Sequence, residues 1–249
     1  MKKTVDKQPL IITHRGRADH NLPENTIDAC ELALQQGANA LEVDVRFCGS
    51  GELVVFHDLM TKRMTNKNGL LFSTSLSELK KLRLNPQNEK PLYVPTLTEF
   101  IEHFKNTVPI NLDAKVFTPI AGQFAKYIVR AVKSSGYREQ FWISSFNPIF
   151  LRTVKYCGED IKTGYLFEKY DIFRKISEPF FFADYWHPEI NIVNDTFIKI
   201  AQENDKKLFV WTVNEQSEIS RLNNYDAVKG IITDFPHEIS KYIDQNPNK

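Results

Sequence analysis

Cysteine is scarce in this chain. Cys30, Cys48 and Cys157 are the three in 249 residues, and none forms a CxxC pair. An odd number at scattered spacing argues against a zinc site or a disulfide framework and favours a reducing compartment. Long apolar runs are missing too. No stretch approaches the roughly 18 residues that a spanning helix needs, and the richest patch, at 179–183, is far too short. The first residues carry lysines but no apolar core long enough for a signal peptide. The formal net charge is +1. Blocks of like charge are absent, so no basic field points to nucleic acid. Internal repeats and low-complexity tracts are absent as well. A cytoplasmic globular protein without a transmembrane segment is expected, and its oligomeric state is left open. The hydrophobic content of 42% and charged content of 25% are ordinary for that class.

What is present is an alternation. Short apolar, β-branched runs at 10–14, 40–46, 53–57, 109–114, 141–145, 162–167, 181–185, 207–213 and 230–234 read as strands. Apolar residues at helical spacing mark 24–36, 120–133, 195–203, 215–222 and 236–243. Strand–helix alternation implies parallel βαβ units. Eight units fit if 53–57 extends the second, which predicts a (β/α)8 TIM barrel as a single domain over 1–249. A doubly wound open sheet is the alternative. The stretch 58–96 breaks the rhythm with Gly69, Pro86, Pro91, Pro95 and one short helical piece near 76–82. It reads as an insertion after the second unit that caps the barrel mouth.

In such a barrel the site lies at the C-terminal ends of the strands. The polar residues there are His14, Arg15, Glu42, Asp44, Arg46, His57, Asp58, Asp113, Lys115, Ser144, Ser145, Asn214 and Asp234, with Trp211 beside them. Glu42 and Asp44 stand two apart on a strand and share one side, opposite Leu41, Val43 and Val45. Buried carboxylates are costly unless paired or bound to metal. With Asp113 they make an all-oxygen set that suits Mg²⁺ or Ca²⁺ rather than zinc. The alternative is a salt-bridge network with Arg15, Arg46 and Lys115. His14 and His57 can split acid and base roles near neutral pH, or serve as structural residues. Arginine's planar fork suits phosphate or carboxylate oxygens. A metal, two cations and two histidines together point to cleavage of a phosphodiester.

Several stretches in order resemble the glycerophosphodiester phosphodiesterase family: His14-Arg15-Gly16, Pro23-Glu24-Asn25-Thr26, Glu42-Val43-Asp44-Val45 and His57-Asp58. Further on come Asn111 to Lys115, Ser144-Ser145-Phe146, Trp211 to Asn214 and Gly230 to Pro236. The resemblance implies a (β/α)8 barrel with a small insertion after the second strand and one divalent cation, Mg²⁺ or Ca²⁺. It implies hydrolysis of a small-molecule glycerophosphodiester, such as glycerophosphocholine or glycerophosphoethanolamine, to sn-glycerol 3-phosphate and an alcohol. Matched by position, His14 and His57 are the acid–base pair. Glu42, Asp44 and Asp113 are the metal ligands, and Arg15 and Lys115 hold the phosphate. The chain departs from the family at Asp113, where a glutamate is usual.

Gly16 is expected to keep a side chain out of the ligand's way. Glu24 is expected in the first turn of the first helix, where the dipole favours a carboxylate, and is kept as a candidate supporting residue behind the site, with Asn25 and Thr26 structural. Trp211 is expected to wall the pocket or to fill the core. If Phe180-Phe181-Phe182, Tyr185 and Trp186 line an apolar mouth, a lysophospholipase D becomes the alternative enzyme. A non-catalytic phosphodiester-binding barrel is the alternative outside catalysis.

Overall fold

Within strand β2 (Ala40–Phe47) the side chains divide cleanly. Leu41, Val43 and Val45 pack outward against Phe100, Phe124 and Ile128 of the surrounding helices. Ala40 faces inward with Ile12, Trp142, Phe209 and Ile232. A strand covered on both faces belongs to a parallel sheet wrapped by helices. The computed structural model describes residues 8–18, 22–85, 91–168 and 182–245. Besides β2, its strands are β1 (Leu10–Thr13), β3 (Leu53–Val55), β4 (Ile110–Ala114), β5 (Phe141–Ser145), β6 (Lys162–Phe167), β7 (Tyr185–Pro188), β8 (Lys207–Val210) and β9 (Val228–Thr233). The helices are α1 (Ile27–Gln35), α2 (Leu76–Leu79), α3 (Leu97–Phe104), α4 (Ala121–Ser134), α5 (Pro148–Cys157), α6 (Asp195–Glu203), α7 (Gln216–Leu222) and α8 (Pro236–Gln245).

Eight strands run parallel and close on themselves. β1 pairs with β2 on one side and β9 on the other, and β4 to β9 complete the ring. This is the (β/α)8 barrel, and the open sheet is excluded by the β1–β9 pairing. β3 lies outside the ring and pairs antiparallel with the end of β2, Val45 opposite Val55 and Phe47 opposite Leu53. The segment that follows carries its own small core of Leu71, Leu79, Leu84, Leu92 and Val94, built onto Val54 and Phe56. Residues 86–90 of the expected insertion lie outside the described residues. No helix among the described residues is long and apolar enough to cross a membrane.

Among the boundaries that differ from the sequence pattern, two have clear physical reasons. The sixth barrel strand, β7, is Tyr185–Pro188 rather than 181–185. The aromatic run drew the boundary too early; Phe180 and Phe181 lie outside the described residues, and Phe182 is exposed. The pairing of Tyr165 with Trp186 and Leu166 with His187 sets the true register. α1 begins at Ile27 because Thr26 caps it, its hydroxyl accepting from the Ala29 amide at 3.2 Å. Glu24 therefore stands outside the helix.

The barrel floor is tight. A side chain on Gly230 would collide with the Phe209 ring and the Ile12 side chain. Gly230→Ala is expected to cost about 1–3 kcal/mol, as overpacking does. Gly122→Ala, where a Cβ meets open space near the start of α4, is expected to be neutral or to stabilise by up to about 1 kcal/mol. Urea unfolding of both variants against wild type measures the contrast.

Candidate active site

Above the apolar floor the inward positions turn acidic. Glu42 and Asp44 follow Ala40 on β2, and the β2–β4 register sets Asp44 beside Asp113. One carboxylate oxygen from each of Glu42, Asp44 and Asp113 lies within 4.8 Å of the others. All three are buried, between 1% and 5% exposed. The sequence patterning thus placed them correctly, and the outward Leu41, Val43 and Val45 explain why the alternation holds.

Two cations answer this charge. Lys115 is fixed just past β4 by its amide bond to the Val45 carbonyl. Its Nζ lies 2.5 Å from Asp113 Oδ2 and 3.2 Å from Asp44 Oδ1. Arg15 donates its backbone amide to Glu42 Oε2 at 2.7 Å, and its Nε lies 3.3 Å from Asp44 Oδ2. Arg15 achieves this with φ of 59°, and Gly16 follows at 70°. The space a Gly16 side chain would fill belongs to Cys30 of α1, whose Sγ would sit 2.5 Å from the new Cβ. Gly16 is therefore needed for packing on α1, not to clear room for a ligand. Arg46 makes no ion pair with the triad: it donates to the His57 and Lys115 carbonyls, and Asp44 and Asp113 act on its charge only through space.

The histidines flank the cluster. His14 opens the turn after β1, with Nδ1 2.9 Å from Asp234 Oδ1. Arg15 Nε donates to its Nε2 at 3.2 Å. His57 arrives through β3: the Phe56 amide bonds the Asp44 carbonyl at 3.0 Å, which brings the next residue level with the carboxylates. Its Nδ1 lies 2.7 Å from Asp58 Oδ1. In the neutral ring the Nδ1 proton then points to Asp58, and Nε2 keeps a lone pair. Burial holds His57 below the usual histidine value, against the pull of Asp44 and Asp58.

The carboxylates respond unequally. Burial, with Asp44 and Asp113 beside it, pushes Glu42 well above the usual range. Asp113 is raised by burial, with Lys115 opposing. Burial would raise Asp44 too, but Lys115 and Arg15 hold it below the ordinary range. Burial opposes the charge on Lys115, yet Asp113 and Asp44 hold it above the usual lysine value. Three carboxylates face two cations, so the cluster lacks one positive charge. Asp113 Oδ1 is buried with no hydrogen-bond partner. An all-oxygen set, short of positive charge and with an unpartnered oxygen, fits a hard divalent cation.

Trp211 is partly buried and packs against the floor cluster. Its Nε1 donates to the His187 carbonyl at 2.7 Å, while its ring packs edge-on against half-exposed Phe146 at 5.6 Å between centroids. Lys115 Nζ lies 5.8 Å from the Phe146 ring centre. Beneath the acids sits His187, fully buried, pushed down to about 3 by desolvation, with Trp142 Nε1 donating to its Nε2 at 3.2 Å.

The sequence pattern does not mark Arg17 or Arg63, and it shows Asn25, Asp234 and Glu24 without their partners. Asn25 clamps Asp44, donating to Oδ2 at 2.8 Å and accepting from the Asp44 amide at 3.0 Å. Asp234 was visible as a strand-end acid but not as the partner of His14. Arg17 joins Glu24 to Asp234. Glu24 is no dipole residue: it binds the guanidinium groups of Arg15, Arg17 and Arg63. The Pro23-Glu24-Asn25-Thr26 stretch was the one available signal for Asn25 and Glu24; nothing in the spacing marks Arg63.

The family model of the glycerophosphoryl diester phosphodiesterase family matches residues 14–238. A glycerophosphodiester phosphodiesterase of Caldanaerobacter subterraneus subsp. tengcongensis is 31% identical over 243 residues, covering 94% of this chain and 97% of that protein. One from Bacillus altitudinis is 26% identical, over 93% of this chain and 96% of the relative. The solved structure of an Oleispira antarctica phosphodiesterase in complex with the product sn-glycerol-3-phosphate is also similar. It superposes with a TM-score of 0.86 at 27% identity, covering 95% of this chain and 97% of that one.

Glu24 makes stability depend on pH. Burial would raise its pKa, but hydrogen bonds from Arg63 and Arg17 and the charge of Arg15 pull it down to about 2 from 4.5. The stabilisation is present above the unfolded value and is lost as pH falls toward the folded one. Glu24→Gln is expected to cost about 2–3 kcal/mol at neutral pH. It is also expected to flatten the loss of stability between about pH 5 and about pH 2. Urea midpoints across that range check this; equal slopes for both proteins would refute it.

Proposed function

The chain belongs to the glycerophosphoryl diester phosphodiesterase family, and from that premise we propose which residues of this phosphodiester hydrolase do the work. Its substrates are glycerophosphodiesters, and we take the products to be sn-glycerol 3-phosphate and an alcohol. The chain is read as one catalytic domain, with 58–96 as its cap. The observation that carries the assignment is the buried Glu42–Asp44–Asp113 triad facing Arg15 and Lys115, with a carboxylate-backed histidine on each side.

Glu42, Asp44 and Asp113 would hold one divalent cation, Ca²⁺ or Mg²⁺. When bound, the cation supplies charge that stabilises the negative charge developing on the phosphoryl oxygens. Arg15 and Lys115 turn from the carboxylates to the phosphate and orient it. His57 starts neutral, with Nε2 free, and takes the proton of the attacking hydroxyl. That hydroxyl is the glycerol 2-OH or a water, and ¹⁸O water traced into the product separates the two. Once Arg15 turns from His14 Nε2 to the phosphate, that nitrogen takes up a proton from water and gives it to the leaving alcohol, while Asp234 against Nδ1 holds the ring in place. Trp211 and Phe146 form the wall that the alcohol group meets. The apolar wall keeps lysophospholipids as the second substrate class to test.

The decisive assay is release of sn-glycerol 3-phosphate from glycerophosphocholine and glycerophosphoethanolamine with Mg²⁺, Ca²⁺, Mn²⁺ or EDTA. Release with metal and none with EDTA is expected; no release in any metal sinks the reading, and lysophosphatidylcholine is then the next substrate. His14→Ala and His57→Ala are each expected to lose about 10²–10⁴-fold in kcat with an unchanged melting temperature. Arg15→Ala is expected to raise KM and to lower kcat.

The shorter Asp113 should matter to the choice of metal. Ca²⁺ tolerates irregular geometry and Mg²⁺ does not. Wild type is expected to work at least as well with Ca²⁺ as with Mg²⁺, and Asp113→Glu to move the ranking toward Mg²⁺. An unchanged ranking would show that the short carboxylate is already accommodated.

A further inference from the structure

The back of each histidine leads into the same glutamate. His14 Nδ1 meets Asp234 Oδ1, which also accepts from Arg17 Nη1 at 3.2 Å. Arg17 Nε donates to Glu24 Oε2 at 3.0 Å. On the other side His57 Nδ1 meets Asp58 Oδ1. Arg63 spans both oxygens of Asp58, Nε to Oδ2 at 2.5 Å and Nη2 to Oδ1 at 3.0 Å. The same Nη2 reaches Glu24 Oε1 at 2.5 Å. An alternating chain, Asp–Arg–Glu–Arg–Asp, thus runs from one histidine to the other. Its members come from the turn after β1, the approach to α1, the start of the insertion and the end of β9.

We propose that Arg63 is a positioning residue for phosphodiester cleavage: it locks Asp58 against the buried Glu24, so that His57 keeps its proton on Nδ1 and presents Nε2 to the substrate. The proposal rests on the reading of His57 as proton acceptor. An exposed ion pair is worth little, but Arg63 is not an isolated pair. One guanidinium makes three charge-assisted bonds to two carboxylates, and one of these belongs to a residue with a side chain only 5% exposed.

The consequences of removing Arg63 separate orientation from stability. Glu24 keeps Arg15 and Arg17, so its charge stays compensated. The insertion keeps its own apolar core. Asp58, by contrast, loses the group that fixes both its oxygens, and the His57 ring loses its fixed partner. A lysine cannot replace the fork, because a point charge does not span two carboxylates in a fixed plane.

The test compares wild type, Arg63→Ala and Arg63→Lys. It reads kcat and KM for sn-glycerol 3-phosphate release from glycerophosphocholine, the melting temperature, and ¹⁵N shifts of the His57 imidazole. Arg63→Ala is expected to lose about 10–100-fold in kcat, as loss of a group behind a functional side chain does, with KM within about threefold; its melting temperature falls through the lost bond to Glu24 but stays well above the assay temperature. Arg63→Lys should fall between the two, and added guanidinium at non-denaturing concentration should restore part of the Arg63→Ala rate. The His57 spectrum should change from a single Nδ1–H tautomer to a mixture. An unchanged kcat, a change in KM alone, or a rate loss that merely follows a lowered melting temperature would overturn the proposal. If wild type releases no glycerol 3-phosphate, the functional reading has failed. The tautomer comparison then decides alone, and an unchanged His57 spectrum in Arg63→Ala overturns the proposal.

Discussion

Three carboxylates within 4.8 Å of one another, shut inside a barrel, govern what surrounds them. At an effective dielectric of about 20, each pair at such a separation repels by about 3 kcal/mol. Three pairs together approach the whole stability of a domain. The structure answers with three devices. Lys115 bridges Asp113 and Asp44. Arg15 gives both its side chain and its backbone amide, and the left-handed backbone at Arg15 lets the two reach neighbouring acids. Asn25 takes up Asp44 from the third side. The motif around His14 and the motif around Glu24 are thus parts of one solution, folded together by the short path from β1 into α1.

The floor beneath the acids keeps this charge from spreading. Ile12, Ala40, Trp142, Phe209 and Ile232 close the lower barrel, and Gly230 yields its space to Phe209 and Ile12. Beside the half-buried Tyr185, that layer holds the titratable His187, and desolvation keeps it neutral. Its ring stacks on Phe209 and takes a hydrogen bond from Trp142, so it packs as an aromatic residue with one polar edge. The buried apolar floor borders the carboxylates with a low-dielectric layer. Electrostatic interactions in the site are therefore stronger than they would be in a wet cleft.

The periodic parts of this design were legible in the sequence. Leu41, Val43 and Val45 alternate with Glu42 and Asp44, and period two on a strand gives no freedom about which set faces the barrel. His14, His57 and Asp113 follow apolar runs, so their place at the mouth came from topology. Strand β7 was misread because three consecutive aromatics imitate a buried strand, while its true residues, Tyr185–Pro188, include a histidine and a proline. What periodicity cannot encode is who pairs with whom across the chain. Asp234 lies 220 positions from His14, and Arg63 lies 39 from Glu24. Those partners are set by barrel closure and by the fold of the insertion. Glu24 looked like a helix-dipole residue until the Thr26 cap put it outside the helix.

The inner and outer charges of the site play different parts. In the outer ring, Asp234, Arg17, Glu24, Arg63 and Asp58 alternate in sign, and each carboxylate meets a guanidinium. Such a network is complete by itself and holds geometry. The inner cluster is not complete: Glu42 is driven toward its neutral form by its neighbours, and Asp113 keeps an oxygen without a partner. Arg15 and Lys115 are also the groups assigned to the phosphate. On the proposed assignment, turning them to substrate would strip the triad of compensation and raise its demand for a cation. By reciprocity, a cation that satisfied the triad would free Arg15 and Lys115 for the phosphate. Cation and substrate binding would then be coupled through two side chains that both sites share, while the outer ring would hold the histidines in place.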